Sequence, residues 1–213
     1  KKKPPPPLTL DRDFYITVAV ITFLLLAFYL KRQALRYIGL AMSLIYFGFL
    51  NADFISMTSL GNIFLLNLPD WRTNATWYVF IFSGIGLTVL LGGFFCSYMC
   101  PFGALQIFFN KVFKFNVEIS VSLQASLRKV RYVLLWILSV FVISFNNPNI
   151  ANYEPFATVF LQKGSVVAWA ILGIILALSL FHHRPFCNYF CATGAFLDSL
   201  SNLGRKIFRG RKT

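Results

Sequence analysis

Long apolar stretches constrain the fold of this chain more than any other feature. Of its 213 residues, 57% are hydrophobic and 13% are charged, whereas soluble domains are about a quarter charged. Several stretches approach the roughly 20 residues with which a helix crosses a bilayer. We expect spans at about 14–30, 37–55, 77–95, 131–145 and 165–181. The sequence therefore predicts an all-α, polytopic integral membrane helical bundle with about five transmembrane helices.

The basic residues predict how this bundle is oriented. The net charge of +13 could suggest a nucleic-acid partner, but its placement fits the positive-inside rule better. Segments 31–36, 98–131 and 184–213 hold three, five and six Lys or Arg residues and fall on one side, while the two connections on the other side hold one each. We therefore expect the C-terminus inside and the N-terminus outside, although the four basic residues of 1–12 do not fit this pattern.

Three regions follow from this reading. We interpret residues 1–12, rich in lysine and proline, as a linker or tail, because consecutive prolines hold a chain extended. Residues 13–204 form the predicted membrane domain, and residues 205–213 form a basic cytoplasmic tail.

The only four cysteines of the chain occur in two matching motifs. The first motif reads Cys96-Ser97-Tyr98-Met99-Cys100, and the second, 91 residues later, reads Cys187-Asn188-Tyr189-Phe190-Cys191. Residues four apart lie on one face of a helix, so each motif can direct two sulfurs towards one point. The motifs end spans that run in the same direction, as in a parallel internal repeat. Four thiolates would then meet near the cytoplasmic face.

Four interpretations of the cysteines compete. Buried apolar packing is common for isolated cysteines, but two pairs with identical spacing disfavour it. Disulfides are disfavoured by a reducing cytoplasm, and structural zinc sites usually have about two residues between paired ligands. We favour an iron–sulfur cluster, 4Fe-4S over 2Fe-2S, on Cys96, Cys100, Cys187 and Cys191. A non-redox structural or transport subunit with zinc-bound or packed cysteines stays the alternative.

Seven further polar residues are candidates for secondary roles: Tyr98, Tyr189, Arg184, His182, His183, Asp53 and Glu154. The arginine could offset cluster charge or anchor the chain at the membrane surface. Adjacent helical histidines point about 100° apart, so they cannot both bind one haem iron, but either could contact a quinone or carry a proton. The two carboxylates could exchange protons or lie solvated in loops, and the tyrosines could donate near sulfur or anchor the interface.

The segment from Gly92 to Gln106, which contains Gly92-Gly93-Phe94-Phe95 and Cys96 to Cys100 followed by Pro101, resembles the motif of a polytopic membrane iron–sulfur family. That family includes the nitrous oxide reductase regulator, the quinol dehydrogenase membrane subunit of periplasmic nitrate reductase and the accessory membrane protein of reductive dehalogenase operons. The resemblance covers about residues 35–200 and includes Tyr153-Glu154-Pro155-Phe156. The four cysteines match the family's two pairs, whereas Ala192 replaces the proline expected after the second.

The resemblance implies membrane electron transfer between a quinone pool or flavin and an extracytoplasmic reductase partner. We therefore expect an electron-transfer component of an oxidoreductase complex in the inner (cytoplasmic) membrane. Its expected partners are the lipid bilayer, quinone and extracytoplasmic redox subunits, with FMN on a preceding domain or a partner and no nucleic acid. A sensor that reports the redox state of the same cluster stays open.

Overall fold

The computed structural model describes residues 12–52, 54–71, 74–113, 120–146, 155–162 and 164–209. All regular secondary structure in these ranges is helical, which confirms the predicted all-helical class. The helices are α1 (Arg12–Leu30), α2 (Gln33–Ser43), α3 (Met57–Phe64), α4 (Ala75–Leu91), α5 (Pro101–Phe113), α6 (Val121–Phe145), α7 (Phe156–Phe160), α8 (Val166–Phe181), α9 (Pro185–Tyr189) and α10 (Ala192–Arg209). There are also two π-helical turns: Leu44–Leu50 follows α2 directly, and Phe95–Met99 lies just before α5.

Two helices in the described ranges are long and apolar enough to cross a membrane. They are α1 and the continuous helix Gln33–Leu50, and α4 and α8 are apolar but shorter. The number of spans and their orientation stay predictions. One boundary differs from the expected one: α6 begins at Val121 rather than near residue 131, because no proline or glycine interrupts the chain through Arg128 and Arg131.

An aromatic core joins the two cysteine motifs. Phe102 follows the first motif and is fully buried. Its ring contacts Phe186, which precedes the second motif, with centroids 5.5 Å apart, and both rings contact Phe156. Edge-to-face aromatic pairs of this kind contribute about 0.5–1.5 kcal/mol each beyond the apolar area that they bury. The core therefore holds the motifs side by side although they are far apart in sequence.

The contact between α4 and α10 depends on a glycine. A Cβ atom on Gly204 would lie 2.6 Å from the carbonyl oxygen of Val89, so no other residue fits without a shift of the backbone. Small residues permit such close helix contacts. Because α4 leads into the first motif and α10 follows the second, this contact places the two motifs at one end of the helix pair.

Candidate metal centre

The two cysteine motifs share one backbone hydrogen bond, although the first is a π-helical turn and the second follows the short helix α9. The N–H of Cys100 donates to the carbonyl of Phe95 at 2.8 Å, and the N–H of Cys191 donates to the carbonyl of Phe186 at 2.9 Å. Each bond spans five residues and widens the turn, a feature that often occurs at functional sites. A new helix starts directly after each second cysteine. The repeat recognised in the sequence is therefore present in the backbone of both motifs.

The second cysteine of each pair lies at the N-terminus of the next helix. The N–H of Gly103 donates to the sulfur of Cys100 at 3.5 Å, and the N–H of Gly194 donates to the sulfur of Cys191 at 3.2 Å. Helix N-termini stabilise negative charge and favour thiolates. Two helix termini thus direct partial positive charge towards two of the four sulfurs.

This arrangement differs from the expected single helical face for each pair. Cys100 leaves the helical region, with φ −72° and ψ 115°, because the residue before a proline is pushed towards an extended conformation. Ala192 replaces that proline in the second motif, yet the same bonds form. Either residue fits at the first position of the helix, because the N–H that proline lacks would have no partner within the helix.

A cavity of about 160 Å³ lies between the motifs. Its wall includes Cys96 and Cys187, both half-buried, and the backbone of Gly93 and Gly194. Cys100 and Cys191 are buried, and the N–H of the wall residue Gly194 reaches the Cys191 sulfur. The structure therefore brings one cysteine from each motif to a shared cavity and keeps the other two in the protein interior.

Arg184 provides a buried cation at this cavity. Its guanidinium donates to the carbonyl of Cys96 and to the side chain of Cys187, and its Nε has no partner in the described chain. Burial alone would lower the pKa of Arg184, but the neighbouring Cys187, Cys96 and Cys100 outweigh it, so the pKa is raised. Its backbone is left-handed, with φ 57°, which costs a non-glycine residue about 1–2 kcal/mol. The equivalent residue before the first motif is Gly93, but the left-handed residue there is its neighbour Gly92, with φ 73°.

Three cavity neighbours were not identified from the sequence. Arg131 and Asp198 form an ion pair at 2.7 Å, and both line the cavity. Gln106 is fully buried, and its Nε2 donates to the Cys187 sulfur at 3.6 Å. Position 106 follows the first motif directly, but these contacts join residues 67 and 81 positions apart, and no local pattern indicates such pairs.

The donor set around the cavity fits an anionic iron–sulfur cluster. The Nε groups of Arg184 and Arg131 are buried without a partner in the described residues, and both arginines line the cavity. Unpaired buried donors are costly, whereas the sulfur atoms of a cluster accept hydrogen bonds that tune its potential. Since Asp198 balances the charge of Arg131, Arg184 is the unbalanced charge on the described cavity wall, and together with the two helix N-termini it suits a negatively charged ligand.

No three of the cysteines are grouped around one point in the described residues. The described residues contain no group of three or more His, Cys, Asp or Glu side chains placed to hold one metal ion. Burial raises the pKa of the Cys96 thiol to about 11, opposed by Arg184, and raises that of Cys100 further. Binding of a metal or an iron–sulfur cluster by these cysteines would therefore release the protons of their thiols.

The histidines and Tyr189 lie beside the site but do not line the cavity in the described structure. The Nε2 of His182 and the hydroxyl of Tyr189 are hydrogen-bonded at 2.8 Å, and their rings stack. Burial, followed by the charge of Arg184, lowers the pKa of His183. These three residues stay candidates for a quinone or proton role.

Tyr98 also lies outside the cavity wall. Its ring stacks on Phe94 with centroids 5.5 Å apart, and the Arg36 guanidinium lies 5.7 Å from its centre. Asp53 and Glu154, the two candidate carboxylates, lie outside the described residues. Among the seven secondary candidates, Arg184 is therefore the one that the described structure places at the cavity.

The comparison with protein families agrees with this geometry. The model of a 4Fe-4S binding domain matches residues 73–120 and again residues 165–211. Each match contains one cysteine motif. The two matched segments therefore correspond to the repeat that the hydrogen bonds of Cys100 and Cys191 show in the backbone. The predicted resemblance to a membrane iron–sulfur family is confirmed at the level of the 4Fe-4S domain and of the relatives below.

Three relatives are similar in sequence to this chain. An uncharacterized protein of Methanocaldococcus jannaschii, MJ0750, is 29% identical and aligns with 80% of this chain and 73% of its own length. The regulatory protein NosR of Pseudomonas aeruginosa is 28% identical over 78% of this chain and 25% of its own length. Protein NirI of Paracoccus denitrificans is 32% identical over 60% of this chain and 20% of its own. The chain therefore spans a quarter or less of NosR and NirI. No solved structure is significantly similar.

Proposed function

We propose that this chain is a membrane electron-transfer subunit. Two of its segments match the model of a 4Fe-4S binding domain, and each segment contains one cysteine pair. Cys96, Cys100, Cys187 and Cys191 would hold one 4Fe-4S cluster between the two motifs. The observation that carries this proposal is the cavity shared by Cys96 and Cys187 and lined by Arg184 and Arg131, whose Nε groups have no partner in the described residues. When bound, such a cluster accepts and releases one electron at a time.

The protein residues would position the cluster and set its potential. The N–H groups of Gly103 and Gly194 stabilise negative charge on the second cysteine of each pair. Arg184 offsets cluster charge and connects the motifs through its bonds to Cys96 and Cys187. Hydrogen bonds and positive charge favour the reduced, more negative state, so these groups would raise the reduction potential.

Membrane placement is supported by the outward surface of the helices. Besides the two long apolar helices, α6 exposes Trp136 and Ile143, and α8 exposes Val166 and Ile174, each more than 60% accessible. Extended apolar surface of this kind indicates contact with lipid or with a partner protein. We propose the inner membrane as the location, with five spans and the C-terminus inside. A fusion of alkaline phosphatase to the C-terminus should then be inactive, and an active fusion would contradict this orientation.

We propose a quinone pool or a flavin as one redox partner and an extracytoplasmic reductase as the other. The hydrogen-bonded pair of His182 and Tyr189, beside the second motif, is the candidate quinone contact. Replacing His182 with Phe should weaken quinol oxidation without loss of the cluster, because His182 does not line the cavity. Equal quinol oxidation in this variant would assign the quinone contact elsewhere.

The proposal is tested by metal analysis of anaerobically purified protein. We expect about four irons and four sulfides per chain, with an EPR signal on reduction. About two irons would indicate the smaller cluster, and zinc without sulfide would support the structural alternative.

Matched variants locate the cluster. Cys96→Ala and Cys187→Ala should each lose the cluster but still insert into the membrane. Ser97→Ala changes a cavity residue between the cysteines that offers no thiolate, so it should retain full iron content. A full cluster in both cysteine variants would contradict the four-thiolate model.

A further inference from the structure

A second cavity lies at the turn between α1 and α2, beside the first cysteine motif. Its volume is about 220 Å³. The residues that line it are Phe28, Lys31, Arg32, Gln33, Arg36 and Tyr98. Half of them are cations and none is acidic.

The three cations have no acidic partner in the described part of the chain. Arg36 is half-buried, and its Nε is buried without a hydrogen-bond partner. Like charges held together repel, and an unsatisfied buried donor costs free energy. An anion in the cavity would relieve both costs at once.

The position in the fold indicates which anion. The cavity lies between the end of α1 and the start of the helix Gln33–Leu50, the two helices long and apolar enough to span a membrane. Basic pockets between such helices on the cytoplasmic side bind phosphate head groups of anionic lipids. Arginine matches phosphate geometry with two parallel N–H donors. The rings of Phe28 and Tyr98 offer apolar wall for the carbons next to the phosphate.

We propose that this cavity binds the phosphate group of an anionic phospholipid. The proposal rests on the membrane placement of α1 and α2 proposed above. Inorganic phosphate shares the same chemistry and is the other source that the experiment must separate.

The experiment uses the full chain, purified in a neutral detergent and examined by native mass spectrometry with phosphatidylglycerol or phosphatidylcholine. The test variant is Lys31→Gln/Arg32→Gln, because both side chains are exposed and their loss should not disturb folding. The control is Arg128→Gln/Lys129→Gln, a neighbouring pair of exposed cations on α6 outside this cavity. We expect wild type and control to prefer phosphatidylglycerol, and the test variant to bind it about tenfold or more weakly. Arg36→Gln should show the same loss.

The outcomes distinguish a lipid from free phosphate as the ligand, and they test the membrane placement separately from the binding site. Displacement of the lipid by millimolar inorganic phosphate would support a phosphate site that also accepts the free ion. Equal loss of phosphatidylglycerol binding in the test and control variants would show that general surface charge causes the lipid preference, and it would overturn the proposal. Failure of the wild-type chain to bind phosphatidylglycerol or inorganic phosphate would also overturn it. Alkaline carbonate extraction tests membrane placement separately. A chain released by carbonate that still binds inorganic phosphate in the cavity would overturn the membrane placement and the lipid as occupant, leaving a site for free phosphate.

Discussion

Gly204→Ala should weaken the contact between α4 and α10 on which the proposed cluster site depends. The added Cβ would lie 2.6 Å from the Val89 carbonyl oxygen and 2.8 Å from its Cγ1. Ordinary van der Waals contact begins at 3.4 Å, so the helices must separate by about 0.8 Å. Overpacking of this kind costs about 1–3 kcal/mol, while replacing a helical glycine with alanine contributes about 0.5–1 kcal/mol in the other direction.

Gly86→Ala, in α4, is the matched control because no atom lies within 4 Å of the position that its Cβ would take. Gly86→Ala should therefore show only the gain in stability of about 0.5–1 kcal/mol that alanine gives over glycine within a helix. The two variants should therefore differ by about 1–3 kcal/mol, or about 2–12 °C in Tm for a chain of this size. Thermal unfolding in detergent and iron content per chain measure the difference, and Gly204→Ala should also lose iron at lower temperature. Equal Tm values and equal iron retention in the two variants would refute the close contact.

Three further substitutions test how the cavity residues set the potential, each by EPR-monitored redox titration. Arg184→Gln should lower the reduction potential by about 60–130 mV, the equivalent of a 1.5–3 kcal/mol bond to a charged group, and Arg184→Lys should restore part of it; an unchanged potential would remove Arg184 from the tuning role. Asp198→Asn should raise the potential, because it leaves the Arg131 guanidinium unpaired at the cavity wall, and should cost about 1 kcal/mol or less of stability; a lowered potential would contradict this sign. Gln106→Leu should lower the potential by about 20–60 mV through loss of its bond to Cys187 while retaining iron, and loss of iron would instead indicate a packing role.

The local features of the site could be predicted from the sequence. The identical spacing of the cysteine pairs predicted the repeat, and residue-type patterns predicted helices throughout. The turn at Cys100 could not be predicted in detail, because the hydrogen bond from its N–H to Phe95 spans five residues rather than the four of a regular helix. The start of α6 was misplaced because the change from charged to apolar residues near Arg131 does not break a helix.

The contacts between distant residues were beyond sequence reasoning. Arg184 was identified as a cation near Cys187, but its bond to the carbonyl of Cys96 joins positions 88 residues apart. Gln106 follows the first motif, yet it donates to a sulfur of the second. Such pairs depend on how α4, α10 and the aromatic core pack, and a single sequence does not indicate which distant residues come into contact.

The division of the cysteines between two halves of the chain has a consequence for biosynthesis. At the usual rate of about 5–20 residues per second, Cys187 leaves the ribosome about 5–18 s after Cys96. Gly204, which fits against Val89, follows later still. During this interval the emerging chain can offer only half of the ligands. A cluster that needs all four thiolates of one chain would therefore have to be assembled after the second motif has emerged, and a chain terminated before Cys187 would carry one cysteine pair without its counterpart.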